Sequence, residues 1–137
     1  MRRHLSLILV TASLVVAASG TSVGVAGAAV PRTSVRILSG ADCTPASMYC
    51  FKKSAKTIVT GTKIVWKNLT IAPHNVTRCI AAACSGDTGG TGTDTGFGGS
   101  VPAGAKYRFI FHGTGTYSYY CTIHGYAVMH GTVTVTP

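Results

Sequence analysis

Apolar positions along this chain recur with a period of two over short runs, and helical periodicity is hard to find. Tyr107, Phe109 and Phe111 alternate with Arg108 and Ile110, while Tyr117, Tyr119 and Cys121 alternate with Ser118 and Tyr120. Val133 and Val135 alternate with Thr132, Thr134 and Thr136. Successive side chains of an extended strand point to opposite faces, so each apolar set marks one face of a strand. Thr57-Ile58-Val59-Thr60, the turn Gly61-Thr62 and Lys63-Ile64-Val65-Trp66-Lys67 read as two strands around a turn, with Ile64 and Trp66 on one face and the two lysines on the other. Val35-Arg36-Ile37-Leu38 reads as a first strand. Strands at this density, rich in Thr, Val and Tyr and separated by short turns, predict an all-β fold, a two-layer sandwich of antiparallel sheets. The low-complexity stretch 85–100, rich in Gly and Thr, reads as a mobile surface crossover whose far end Phe97 pins to the core. Asp87 and Asp94 follow no period, which argues against a calcium-binding glycine repeat.

The first residues interrupt this pattern. Arg2, Arg3 and His4 precede an apolar run from Leu5 to Ala18, and small residues follow at Val25-Ala26-Gly27-Ala28-Ala29. This is the three-part layout of a secretory signal peptide, assigned to residues 1–29. Ser6, Thr11, Ser13 and the Ser19 to Ser22 cluster break the run before it reaches the roughly 20 apolar residues a membrane span needs. Arg2-Arg3 is a weak match to a twin-arginine signal, so the export route stays open. Residues 30–137, about 108 in number, suffice for one domain and are too few for two. The expected location is extracellular, at the cell surface or periplasmic. Removing Arg2 and Arg3 lowers the formal net charge from +9 to about +7, and the chain has three Asp and no Glu. Charged residues are only 11% of the chain, and the aromatics are not interleaved with arginine, which argues against nucleic-acid binding. Lys52, Lys53, Lys56, Lys63 and Lys67 read as the solvated face of two strands, the alternative being a docking surface for an acidic redox partner.

Five cysteines in an exported domain invite disulfides and leave one thiol over. Cys43 and Cys50 are close in sequence, as are Cys79 and Cys84, while Cys121 stands alone beside His124. Pairing within each close couple is the simplest of the three possible connectivities, and sequence alone does not choose among them.

The chemistry concentrates in Gly115–Met129, where Cys121, His124 and Met129 form a C-x2-H-x4-M pattern. A soft thiolate, an imidazole and a weak thioether on one loop are most of the Cys/His/His set with an axial Met that copper uses for electron transfer. A second His follows the Trp66 strand, in Pro73-His74-Asn75-Val76. With Gly61-Thr62-Lys63-Ile64-Val65-Trp66-Lys67-Asn68 before it and Gly115-Thr116-Tyr117-Ser118-Tyr119-Tyr120-Cys121 after it, the chain from about Phe51 to Val135 resembles the plastocyanin-like blue copper proteins, the cupredoxins. The resemblance implies a cupredoxin-like Greek-key β-sandwich and one type 1 copper per chain, held by His74, Cys121, His124 and Met129. It also implies that Asn75 ties the two ligand loops together and that Pro73 packs over the metal. His124 would be the electron's exit through an apolar end, with Tyr120 offering a second route. The chain departs from plastocyanins proper in lacking any acidic patch, in its four extra cysteines and long Gly/Thr loop, and in having Thr122-Ile123 between the Cys and the loop His. A photosynthetic role is therefore not carried over.

The function expected is an exported carrier of single electrons between redox protein partners, working as a monomer, with no small-molecule substrate and no enzymatic activity. Two alternatives remain: a copper-binding protein for delivery or buffering outside the membrane, and a metal-free cupredoxin-like interaction module. Zinc fits poorly, since a thioether is not among its usual ligands. His112 and His130 read as residues outside the site, and no His-x-His pair exists to build a multicopper cluster. The sequons at Asn68 and Asn75 read as chance, Asn75 being needed inside.

Overall fold

The computed structural model describes residues 27–43 and 47–137. The expected signal peptide lies outside the described residues except for its last three. Among the described residues there are nine strands and no helix: β1 (Arg32–Gly40), β2 (Ser47–Lys52), β3 (Ala55–Val59), β4 (Lys63–Asn68), β5 (His74–Arg78), β6 (Gly98–Val101), β7 (Lys106–Ile110), β8 (Gly115–Tyr120) and β9 (His130–Thr136). They form a four-stranded sheet in the order β2-β1-β4-β7 and a five-stranded sheet in the order β3-β9-β8-β5-β6. The all-β sandwich is as the alternation predicts. Each sheet, however, is mixed, because β1 pairs with β4 and β3 with β9 in parallel. A period of two assigns a face to each side chain but says nothing about which strand lies alongside or in which direction.

The segments on either side of Gly61-Thr62 do form strands, but in different sheets. Ile58 from β3 and Ile64 from β4 both point into the space between the layers, so the turn carries the chain across the sandwich. Gly61 takes φ 79° there, a left-handed conformation that costs glycine little, and donates to the Phe111 carbonyl at 2.7 Å. The lysines consequently divide: Lys63 and Lys67 are on β4, Lys52 on β2, Lys53 in the turn after it, and Lys56 on β3 of the other sheet. They do not share one face.

Between the sheets lies one core built on Trp66, which is fully buried and surrounded by aromatic rings. Phe97, Tyr107 and Tyr119 approach it at centroid distances of 5.7, 5.5 and 5.6 Å, the last edge-on at 88°. Edge-on and tilted pairs of this kind add about 0.5–1.5 kcal/mol each beyond the area they bury. Phe97 is 7% exposed and belongs to this core, as expected of the residue at the far end of the Gly/Thr stretch.

That stretch is a loop up to Phe97 and then becomes β6, and it is packed rather than a loose crossover. While the Cys79–Cys84 disulfide covers Tyr120, the stretch runs beside β8, with Gly92 N donating to Thr116 O at 2.8 Å and Ser118 N to Gly89 O at 3.3 Å. The Arg78 guanidinium organises it, donating from Nε to Gly89 O at 3.1 Å, from Nη2 to Gly90 O and Gly92 O at 3.1 and 2.7 Å, and from Nη1 to Asp94 O at 3.3 Å. It also sits 5.1 Å from the Tyr117 ring centroid. Gly92 passes so close to Tyr117 that a Cβ there would collide with the ring. Asp94 accepts from the His112 and Gly113 amides and from the Tyr117 hydroxyl, at 3.0, 2.9 and 3.0 Å.

Candidate metal centre

Three elements bring the sulfur and nitrogen donors to one end of the sandwich. His74 opens β5, Cys121 follows the last residue of β8, and His124 and Met129 lie on the connection between β8 and β9. That connection is folded on itself by bonds from Gly125 N to Cys121 O at 2.9 Å, Met129 N to Gly125 O at 3.0 Å and Cys121 N to Met129 O at 3.0 Å. Three residues so separated in sequence are thereby gathered at the mouth of the loop. The donor atoms of His74, Cys121 and His124 all lie within 4.8 Å of one another. Cys121 Sγ is 3.5 Å from His124 Nδ1 and 3.9 Å from His74 Nδ1. Cys121, His74 and Met129 are buried, at 0, 1 and 0% exposure, whereas His124 is half-buried. The two other cysteine pairs are closed as Cys43–Cys50 and Cys79–Cys84, with Cα separations of 5.7 Å each, and Cys121 is the free thiol.

The inner histidine is oriented by a network that the sequence does not announce. Thr70 Oγ1 lies 3.0 Å from His74 Nε2 and donates its own proton to Asn68 Oδ1 at 2.8 Å. The hydroxyl has one proton and that proton is used, so Nε2 carries the ring hydrogen and Nδ1 presents its lone pair toward Cys121. Asn68, 1% exposed, is fixed in turn by donating to the carbonyls of Ala72, Val101 and Pro102 at 2.8, 3.0 and 3.0 Å. Such outer bonds set a ligand's tautomer and aim. Burial, with the neighbouring His124 ring as the smaller cause, holds the His74 pKa down to about 4, and burial lowers that of His124 as well. At neutral pH both rings are therefore uncharged, the form that binds metal.

Asn75 joins the two ligand segments: its Nδ2 donates to Thr122 Oγ1 at 2.7 Å, and its Oδ1 accepts from Thr122 N at 2.9 Å. Neither sequon asparagine is therefore a free surface amide. Pro73 is exposed beside His74. Tyr120 is buried against the Cys79–Cys84 disulfide and faces Tyr126 at 6.5 Å, and Tyr126 stacks on the exposed His130 at 4.6 Å. His112 is also exposed, and neither it nor His130 enters the site. No motif points to Tyr49, whose ring in β2 touches both imidazoles at centroid distances of 4.9 Å (His74) and 4.5 Å (His124). Its neighbour Cys50 is in a disulfide, a pairing the spacing made simplest, but nothing local in Met48-Tyr49-Cys50 points 25 residues ahead to His74. Leu69, Ile71, Ile123 and Val128 are exposed at 59, 96, 53 and 43%, and each stands within a few residues of a site residue.

A soft buried thiol facing two neutral imidazoles, with a thioether buried on the same loop, fits copper and fits few other metals. Residues 41–136 match the family model of copper binding proteins of the plastocyanin/azurin family. The chain belongs to this family. It is a cupredoxin and a copper-binding protein of the electron-transfer type, and the family's members are typically electron carriers rather than enzymes. Solved structures agree in fold. A purple cupredoxin from Nitrosopumilus maritimus is 22% identical with a TM-score of 0.56 over 75% of this chain and 98% of that one. A reduced amicyanin variant is 24% identical with a TM-score of 0.51 over 75% of this chain and 80% of that one.

Proposed function

We propose that this cupredoxin is an exported type 1 copper protein that carries single electrons between redox protein partners, with residues 1–29 as its signal peptide and 30–137 as a monomeric domain. The observation that carries the reading is the convergence of two imidazole Nδ1 atoms on the one free, fully buried cysteine sulfur. His74, Cys121 and His124 would hold one copper with Met129 as the weak fourth donor, and copper bound there supplies the one-electron Cu(I)/Cu(II) couple. The Thr70–Asn68 network and the Asn75–Thr122 bridge keep the donors in place between oxidation states, so little has to move with the electron. His124 is the donor nearest solvent, and the apolar side chains around it suit a partner that docks end-on. The net positive charge of the chain would raise its rate of encounter with acidic partners.

The test is the absorption spectrum of the protein with one equivalent of Cu(II). An intense blue thiolate-to-copper band is expected, and Cys121→Ser abolishes it; copper uptake with only weak colour overturns the type 1 assignment. Burial of His74, Cys121 and Met129 favours a carrier over the delivery or buffering alternative, because a copper donor must open its site to an acceptor. Rapid loss of Cu(I) to a chelator through repeated redox cycles would favour delivery instead. Disulfides at Cys43–Cys50 and Cys79–Cys84 support an oxidising compartment.

A further inference from the structure

The outer face of the four-stranded sheet bears an arrangement that the copper chemistry does not use. In cross-strand register Lys52 lies opposite Arg36, Arg36 opposite Lys67, and Lys67 opposite Lys106. One rung across β2, β1, β4 and β7 is thus entirely basic, with neighbouring strands about 4.8 Å apart. The next two rungs toward the far end add Arg108, opposite Val65, and Arg32, opposite Lys63. Like charges directly opposite one another destabilise a sheet, and a solvated face ordinarily interleaves both signs. The chain's three carboxylate side chains lie elsewhere: Asp42 in the turn after β1, and Asp87 and Asp94 in the loop that packs on β8. The rungs also enclose a groove of about 520 Å³ with Arg32, Lys67, Lys106 and Arg108 around its rim, Val65 along it and the Ser34 hydroxyl among its polar groups.

We propose that this face binds a linear, phosphate-bearing polyanion, which holds the protein by its side and leaves the ligand end free. Forked guanidinium groups, point-charge ammonium groups and a hydroxyl along one groove match a row of phosphates. The occupant is not the electron-transfer partner. Side chains of this face project normal to the sheet, whereas His74, His124 and the apolar residues around them sit at the strand ends, where such a partner has to dock. That choice of occupant rests on the proposed electron-transfer reading. A membrane surface fits less well, since Leu69, Ile71, Ile123 and Val128 lie near the ligand loops, and of the exposed large apolar side chains among the described residues only Met48, on β2, belongs to the basic sheet.

The experiment titrates fluorescently labelled long-chain inorganic polyphosphate with the protein, copper-free and copper-loaded, at salt concentrations between about 50 and 200 mM. Binding with a steep salt dependence is expected in both forms, so failure of the copper assignment and failure of this one remain distinguishable. Lys67→Ser with Lys106→Ser weakens binding at least about tenfold and lowers the salt slope by about 1.4, two phosphate contacts at roughly 0.7 each. Arg108→Ser gives a smaller loss in the same direction. Lys56→Ser, on the other sheet, changes binding less than about twofold. The double variant melts no lower than the parent, because the crowded rung is relieved. Equal losses from Lys56→Ser and from the double variant reduce the effect to net charge and overturn the site. Tighter binding to polyglutamate, or capture by anionic phospholipid vesicles that polyphosphate does not reverse, overturns the ligand.

Discussion

Two irregular segments pack against β8, and they hold their shapes by opposite means. The ligand loop, Cys121 to Met129, is folded on itself, its backbone bonds running within the loop. The loop from Cys79 to Phe97 has few long side chains of its own, and beyond the Cys79–Cys84 disulfide and the carboxylates of Asp87 and Asp94 it relies on groups outside it. Its carbonyls are gathered by Arg78, a residue of the preceding strand, and its glycines let the backbone lie directly on Tyr117 and Thr116. A segment poor in side chains is therefore not a segment poor in structure. It is ordered by donors that lie elsewhere in the sequence.

Substitutions in the two segments should separate function from stability cleanly. The largest effect is expected at the sulfur: Cys121→Ser removes the blue band altogether, while circular dichroism of the copper-free protein stays that of a folded sandwich. Loss of the fold in that variant would make Cys121 a core residue first and a ligand second. Arg78→Met should do the reverse. It removes the guanidinium from four loop carbonyls, of which Gly89 O keeps the Ser118 amide, and costs about 3 kcal/mol in denaturant unfolding, since charged hydrogen bonds contribute about 1.5–3 kcal/mol each and leaving partners unpaired adds to that. The position of the blue band should not change, and a shifted band would mean that the glycine loop reaches the metal after all.

Acid sharpens the contrast further. The folded His74 pKa, about 4, lies below the ordinary 6.5, so between these values the unfolded chain binds more protons than the folded one. Thermal melts of the copper-free protein should therefore fall as the pH drops from about 6.5 toward 4. Arg78→Met should keep that slope and His74→Phe should flatten it. The smallest effect is expected at Met129. Met129→Leu conserves volume and should cost under about 1.5 kcal/mol, yet it removes a donor that helps Cu(II) more than a hydrocarbon does, so the reduction potential measured by voltammetry should rise. Met129→Gln should lower it. Unchanged potentials, with a stability loss confined to the Gln variant, would return Met129 to the core.

What could be read in the sequence follows the same division. Strands with alternating aromatic and β-branched residues were legible, as β4, β7, β8 and β9 show. β5 has a single apolar inward residue, Val76, and β6 is Gly98-Gly99-Ser100-Val101, so neither carries a periodic signal. Partner choice was illegible: β3 lies beside β9 because their inner faces fit, not because they are near in the chain. At the site, the donors were legible because sulfur and imidazole are rare and their spacing is tight. Thr70 was not. It stands in what reads as a glycosylation sequon, and its role depends on the turn that folds it back onto His74.

The position of β9 bears on the order in which the molecule can assemble. Residues 130–136 lie between β3 and β8, inside the five-stranded sheet and not at its edge. Until they dock, β3 has no neighbour in its layer, and Cys121 lacks the Met129 carbonyl that closes its loop. Their pairing with β3 spans most of the domain in sequence, the kind of contact whose entropic cost slows folding. The donor cluster thus depends on the last strand, and a chain carrying Cys121 and His124 but not β9 has the right atoms without the frame that closes their loop.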